Sequence, residues 1–386
     1  MSSAIAPPRV PVPPTTVVVT TIGSGEFLDD YWAALRHEQA VDQVEFIVIP
    51  DRKTPAKLFE RCEMFSNLGM KIRCPDLSTQ DRYLASIGLS DFIPYNSDNR
   101  RNVGYLMALE TGRPLLISID DDNFARPSEA FFEEHAVAAC ESPIEAPSIN
   151  SSNGWFNICR LMEVDPPSVY PRGFPYSKRH ETPEISSNIE SGRVRLNAGL
   201  WLGEPDLDAM TWLVSPAKSK CISARSVLLG DRAWSPINTQ NTALHKDVIV
   251  SYYFAKMNYP LGTLGSIDRY GDILSGYLAQ ACVRHMGDRL RVGSPAVDHR
   301  RNSHNYLRDA THEMGCVWLM EDLTSWLTEL KLTGANYHET YLSLAGALDD
   351  AAEKFNGYIW NESTRGYVHQ LAYCMRRWAA ACRRWL

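Results

Sequence analysis

Leu115-Leu116-Ile117-Ser118-Ile119-Asp120-Asp121-Asp122-Asn123 is the stretch whose reading decides the fold. An apolar, β-rich run of this length reads as a strand buried on both faces. It ends in three adjacent carboxylates. At the C-terminal tip of a strand in an open α/β sheet, such residues stand in the crevice where ligands bind. Three neighbouring acids repel one another, and a hard divalent cation such as Mg²⁺ or Mn²⁺ relieves that repulsion while bridging carboxylate to phosphate. The triplet therefore reads as a metal–diphosphate site, against the plainer alternative of a solvated acidic turn. By strand alternation, Asp120 and Asp122 point one way and Asp121 the other.

Upstream, Val17–Thr21 is a β-branched strand that stops at Ile22-Gly23-Ser24-Gly25. Phe27, Tyr31, Trp32 and Leu35 follow at helical spacing, then a strand at Val44–Ile49 ends in Pro50-Asp51. This βαβ order predicts a parallel sheet with right-handed crossovers. The glycine turn lacks the third glycine of a dinucleotide fingerprint and the lysine of a P-loop. A helix over 55–66, a short strand at 71–74 and a mixed loop with a short helix over 75–98 come next. Asn102–Leu109 is a helix preceded by Arg100 and Arg101, where basic residues oppose the macrodipole unless they face an anion.

Downstream, a helix over Ser128–Cys140 leads into a Pro-rich, irregular region over 143–200. Gly199 and Trp201 in a short strand, followed by Asp206 and Asp208, suggest a second lobe lining the cleft. A helical stretch runs to Phe254, and another helix opens near Asp272, either a helix-start acid or a catalytic one. A strand over Arg291–Val297 ends in Asp298-His299-Arg300-Arg301. There His299 is a third metal ligand beside the carboxylates or a structural histidine. From Arg308 onward, helical spacing predicts three or four helices. The last carries Arg376, Arg377, Arg383, Arg384, Trp378 and Trp385. It suits a membrane surface, but packing on the domain or on a second subunit is the preferred reading.

The 386 residues, 44% hydrophobic and 22% charged, are ordinary for a globular protein. They divide into a flexible Pro-rich leader (1–14), an α/β domain (15–305) and a helical subdomain (306–386). A net charge of −7 argues against nucleic acid as a partner. Nine cysteines without CxxC spacing fit neither a disulfide framework nor structural zinc. With no signal peptide or membrane span in view, a reducing cytoplasm is expected. Self-association is left open.

The parts together resemble a GT-A (Rossmann-like) glycosyltransferase domain. The chain is more specifically similar to the reversibly glycosylated polypeptides, the plant-type UDP-arabinopyranose mutases. Four blocks carry the resemblance in order: Gly104-Tyr105 with Ile117–Asn123; Arg172-Gly173-Phe174-Pro175-Tyr176-Ser177; Gly199–Leu202 with Pro205-Asp206 and Asp208; and Arg269-Tyr270-Gly271-Asp272 with Gly276, Gly293 and His299. The resemblance implies that Asp51 and Arg101 face base and ribose. It also implies that Asp120 meets ribose or a metal-bound water, that Asp122 and His299 bind Mn²⁺ or Mg²⁺, and that Arg172 is the residue glycosylated in the family. A guanidinium stays protonated and is a poor nucleophile, so an equal reading has Arg172 holding sugar hydroxyls or phosphate. Arg300 or Arg301 adds charge to the diphosphate, Trp201 lines the sugar side, Asp121 is structural or faces the sugar, and Asp208 or Asp272 is a candidate base. Three departures stand out: Gly271 where the family has Asp, Asn123 where it has Cys, and a longer segment over 178–196. A changed insert beside the acceptor cleft points to transfer from a UDP-sugar to a separate acceptor. Pyranose–furanose interconversion through Arg172, or a non-catalytic partner subunit, are the alternatives.

Overall fold

The strand β1 (Thr15–Thr21) is the axis of the sheet, with β2 (Val44–Pro50) on one side and β4 (Leu115–Asp120) on the other, both parallel to it. The computed structural model describes residues 11–126, 129–262, 265–301 and 304–386. Most of the Pro-rich leader, Ser128 and Ser303 lie outside the described residues. Val17–Val19, Phe46–Ile49 and Leu115–Ile117 are almost wholly buried, as two-sided burial of a parallel sheet requires. Helices α1 (Phe27–His37), α2 (Ala56–Asn67), α3 (Leu77–Ser86) and α4 (Arg101–Glu110) supply the crossovers, and β3 (Lys71–Arg73) pairs with β2 at the edge. Gly104 lets α4 lie directly on β1, since a Cβ there would come within 2.4 Å of Val18 Cγ1.

Beyond β4 the sheet becomes mixed. The Ser128–Cys140 expectation shrinks to α5 (Phe131–His135) and a 3-10 turn over Ala136–Ala139, entered through Ala130 at φ 50°. After β5 (Asn123–Ala125), the region read as irregular contains β6 (Ile144–Ser151), β7 (Met162–Asp165), β8 (Ile185–Gly192) and β9 (Val194–Gly203). These are followed by α6 (Ala209–Val214), β10 (Lys218–Ile222), β11 (Val227–Leu229) and β12 (Asn241–His245). A small ladder of β13 (Tyr259–Pro260) and β14 (Ser266–Ile267) precedes α7 (Gly271–His285) and β15 (Arg289–His299). The order across the sheet is β3-β2-β1-β4-β12-β9-β15-β11-β6-β8. Because β12 is antiparallel to both β4 and β9, and β15 is parallel to β9, the C-terminal tips of β1, β4, β9 and β15 share one edge.

The longer segment over 178–196 does not stay by that edge. Its residues 185–192 form β8 against β6, and the strand runs into β9 with only Arg193 between. Val194 pairs with Arg289, at the opposite end of β9 from the Gly203–His299 pair. The expectation that the whole insert flanks an acceptor cleft is therefore corrected; only its start, at Arg179, reaches the site.

The C-terminal region is three helices, α8 (Tyr306–Glu329), α9 (Tyr337–Ala352) and α10 (Glu362–Cys382). The last packs inward: Trp378 is fully buried, and its indole N–H donates to Val250 O at 3.0 Å. Arg377 lies over Phe92 and donates to Gly88 O. Among the described residues no helix is long and apolar enough to cross a membrane.

Candidate functional site

The tips of β1, β2 and β4 enclose a cavity of about 170 Å³ lined by Thr20, Thr21, Asp51, Lys53, Ser97, Asp98, Arg100 and Asp121, among others. Asp51 accepts from Arg52 N at 2.7 Å and from Ser97 N at 3.3 Å, so its carboxylate is held at the cavity wall. Asp121 accepts from Thr21 Oγ1, and burial raises its carboxyl above the usual range. Arg52 and Arg100 both stack on Tyr95, at 4.0 and 4.3 Å. The lining thus combines acids, one lysine, an arginine and the apolar side chains of Ile22 and Ile49.

The three acids of the triplet diverge. The strand ends at Asp120, and Asp121 and Asp122 lie in a turn, so strand alternation stops short of them. Asp120 bonds Arg101 Nη2, and Arg101 also donates to Thr239 O (3.0 Å) and Thr239 Oγ1 (2.7 Å). Burial pushes the Asp120 carboxyl up to about 7 against the pull of Arg101. Asp122 instead faces His299, with Oδ2 3.5 Å from Nε2. Asn123 steadies its other oxygen at 3.0 Å, which gives the departure at that position a structural role.

His299 Nδ1 lies 2.5 Å from Glu204 O. A carbonyl only accepts, so Nδ1 carries the proton, and the Nε2 of a neutral ring presents its lone pair to Asp122. Two acceptors 3.5 Å apart need a proton or a cation between them. Burial disfavours the charged form of each, but their mutual attraction wins: His299 is raised and Asp122 is lowered. Among the described residues no group of three or more His, Cys, Asp and Glu side chains is placed to hold a metal. The predicted set of three is thus not brought together: Asp120 bonds Arg101, and only Asp122 and His299 face one another. A pair fits the chemistry, because Mg²⁺ and similar ions take one or two protein ligands beside substrate phosphates.

Of the two arginines after His299, only Arg301 turns towards this pair. Its charge acts on Asp122, His299 and Asp206, and its Nη1 is buried without a hydrogen-bond partner among the described residues. Its guanidinium lies 5.2 Å from the centre of the Trp212 ring. Arg300 turns away, lying over Phe124 and near Asp30 and Asp298. Trp201 does not line the cleft: it is 3% exposed and belongs to the core, as its position in the two-sided strand β9 dictates.

Arg172 is the centre of a buried network. Its Nε and Nη2 donate to Asp206 at 2.9 and 3.1 Å, its Nη1 and Nη2 donate to Asp272 at 3.1 and 2.5 Å, and Nη1 also bonds Arg269 O. Every N–H of the guanidinium is engaged. Burial alone would lower its pKa, but the two carboxylates hold it well above the ordinary value. Neither a free nucleophile nor a free base exists here, which corrects Arg172 and Asp272 as free reacting groups. Asp208 is likewise committed: it caps α6 through Thr211 N (2.8 Å) and accepts from Tyr176 OH (2.8 Å) and Arg179 Nη2 (2.7 Å). Salt bridges and a cap of this kind lower its carboxyl despite burial.

Three contributions went unread in the sequence. Asp206, grouped with Asp208 in the strand-end block, is the acid that grips Arg172. Glu313, from α8, accepts from Ala209 N at 2.8 Å and pairs with Arg269 at 3.3 Å. The stretch Asn238–Asn241 ties everything together: Asn238 donates to Asp206 (2.8 Å), Thr239 accepts from Arg101, Gln240 O accepts from Asp120 N (3.2 Å), and Asn241 donates to Leu200 O (3.1 Å) and Pro295 O (2.9 Å). Only its turn-forming amides hinted at this.

A model of the family described as reversibly glycosylated polypeptide matches residues 26–383. UDP-arabinopyranose mutase 1 of Arabidopsis thaliana is 23% identical over 355 residues, covering 89% of this chain and 87% of that protein. The UDP-arabinopyranose mutase 1 of Oryza sativa subsp. japonica is 22% identical over 378 residues, covering 93% and 92%. Among solved structures, a glucosyl-3-phosphoglycerate synthase from Mycobacterium tuberculosis, in complex with Mn²⁺, UDP and phosphoglyceric acid, aligns over 83% of this chain and 81% of that one. It does so with 11% identity and a TM-score of 0.41.

Proposed function

The chain belongs to the reversibly glycosylated polypeptide family, and from that premise we propose that it is a metal-assisted enzyme acting at the anomeric carbon of a nucleoside diphosphate sugar, first of all a UDP-sugar. The carrying observation is the Asp122–His299 pair, with Arg301 Nη1, unpartnered among the described residues, beside it, at the same sheet edge as the cavity of Asp51, Lys53 and Arg100. Asp122 and His299 would hold a divalent cation, whose positive charge would stabilise a departing diphosphate. Arg301 offers N–H donors to the same oxygens, the cavity takes base and ribose, and Arg101 with Asp120 forms the floor between them. The Arg172 network fixes the second lobe rather than reacting. Such an arrangement supports a GT-A type transfer to an acceptor hydroxyl. The named activity of the relatives favours a second reading, in which the accepting hydroxyl is the sugar's own and the ring changes size. Nine unpaired cysteines suit a reducing cytoplasm.

The test is incubation with a panel of UDP-sugars and Mn²⁺, following UDP release and ring form of the nucleotide sugar. Saturating ligand should raise stability by about 3 kcal/mol at a hundredfold excess over Kd, and Asp122→Asn should abolish the Mn²⁺-dependent part. Ring interconversion without UDP release overturns the transfer reading in favour of the second. Absence of nucleotide binding by the wild type overturns both.

A further inference from the structure

A nucleotide-sugar reaction needs a group to take the proton of the hydroxyl that attacks the anomeric carbon, and the acids expected for this task are already occupied. Asp51, Asp120, Asp121, Asp122, Asp206, Asp208 and Asp272 all accept hydrogen bonds from protein donors. Asp98 differs. It lines the cavity with Asp51 and Asp121, it is exposed, and no hydrogen bond to its carboxylate is made among the described residues.

Its surroundings are rigid while its side chain is free. Ser97 caps the 3-10 turn Asp98–Arg100, accepting from Asn99 N at 3.3 Å. Asn99 donates to Phe254 O and to Tyr253 OH. Arg100 Nε donates to Gln80 at 3.0 Å, and Arg101 is bonded to Thr239 and Asp120. The residues on either side are thus anchored in the core, and the one unbonded side chain of the run is aimed at the cleft. The charges that act on it are Arg101 beneath and Asp272, Arg269 and Asp268 across the gap. Asp98 therefore stands in the cavity wall on the side that faces Asp268, Arg269 and Asp272, the side from which a sugar carried by the bound nucleotide would be reached.

We propose that Asp98 is the proton acceptor of the reaction, a role that rests on the nucleotide-sugar reading above. The attacking hydroxyl gives its proton to the Asp98 carboxylate while its oxygen forms the bond to the anomeric carbon. The bond from that carbon to the diphosphate breaks, and its electron pair leaves on the nucleotide. The hydroxyl comes from an acceptor or from the sugar itself, and product analysis separates the two: UDP release for the first, a ring-isomerised nucleotide sugar for the second.

The experiment compares wild type, Asp98→Asn and Glu204→Gln, all full length, with UDP-sugar and Mn²⁺. Glu204 is the control because its side chain also lacks a hydrogen bond among the described residues and it lies near Tyr306. Asp98→Asn should keep the thermal midpoint and the Kd for the UDP-sugar within about threefold, lower kcat by about a hundredfold or more, and erase the acidic limb of the pH–kcat profile. Glu204→Gln should keep that limb. Unchanged kcat in an active enzyme overturns the assignment of Asp98 alone, and so does a parallel loss of binding, which would make Asp98 a nucleotide contact. Loss of the limb in Glu204→Gln instead moves the role to Glu204. A wild type that neither binds nor converts any UDP-sugar overturns the underlying reading.

Discussion

At the scale of single residues, charge is placed by what each group bonds rather than by its type. Glu38 shows this away from the site. Its Oε2 accepts from Phe132 N and Glu133 N, both at 2.8 Å, at the start of α5. Burial raises its carboxyl from 4.5 to about 7. The native state therefore binds more proton than the unfolded chain between those values. Stability falls as pH rises through that window and is level above it, by about 3 kcal/mol in all. Urea melts of Glu38→Gln between pH 5 and 8 should lack this fall, and an equal slope in both proteins would place its source elsewhere. The places of Asp51, Asp122 and His299 at or just past strand ends were legible because the strands before them are apolar and well bounded. The sequence could not show that Arg172 is saturated, since Asp206 and the Arg269–Asp272 turn converge on it from two segments remote in sequence. Nor could it separate Arg300 from Arg301, which differ only in the side of the chain end they leave from.

At the scale of elements, close packing at glycines sets the geometry. A Cβ at Gly276 would meet Ile237 O at 1.8 Å, so α7 lies directly against the segment that leads into Asn238. Gly276→Ala should cost about 3 kcal/mol in chemical denaturation, and a loss below about 0.5 kcal/mol would show that α7 can slide. Gly271 has the same explanation: a Cβ there would lie 2.5 Å from Phe254 Cε1 and 2.6 Å from Ala255 O, so this chain has no room for an aspartate at that position. The first βαβ units were legible because each buried strand is long and β-branched. β6 and β8 were not, because Pro147 interrupts one and the other is largely polar and exposed. β12 was lost to length, since Asn241-Thr-Ala-Leu-His is too short for its period to separate strand from helix.

At the scale of the whole molecule, the three C-terminal helices are part of the same core. Trp378, Tyr341 and Leu344 are fully buried, and Trp378 sits 5.8 Å from Tyr253 in the residues leading away from β12. Trp378→Ala should lower stability by about 4 kcal/mol while far-UV circular dichroism and tryptophan fluorescence still report one transition. An earlier, separate loss of helix would show instead that residues 306–386 unfold as their own unit. The boundary near residue 305, read from a change of periodicity, marks a change of secondary structure and says nothing of independence.

The run Asn238–Asn241 behaves as a strut. One end is pinned to Asp206, the middle to Arg101 and Asp120, and the far end to the backbones of β9 and β15. Stiff members of this kind do not absorb displacement; they pass it on. A shift of the second lobe by an occupant on the Arg172 side would be delivered to the floor beneath the nucleotide, and a pull there would be felt at Arg172. The two halves of the cleft are in this sense geared together, with four residues as the gear.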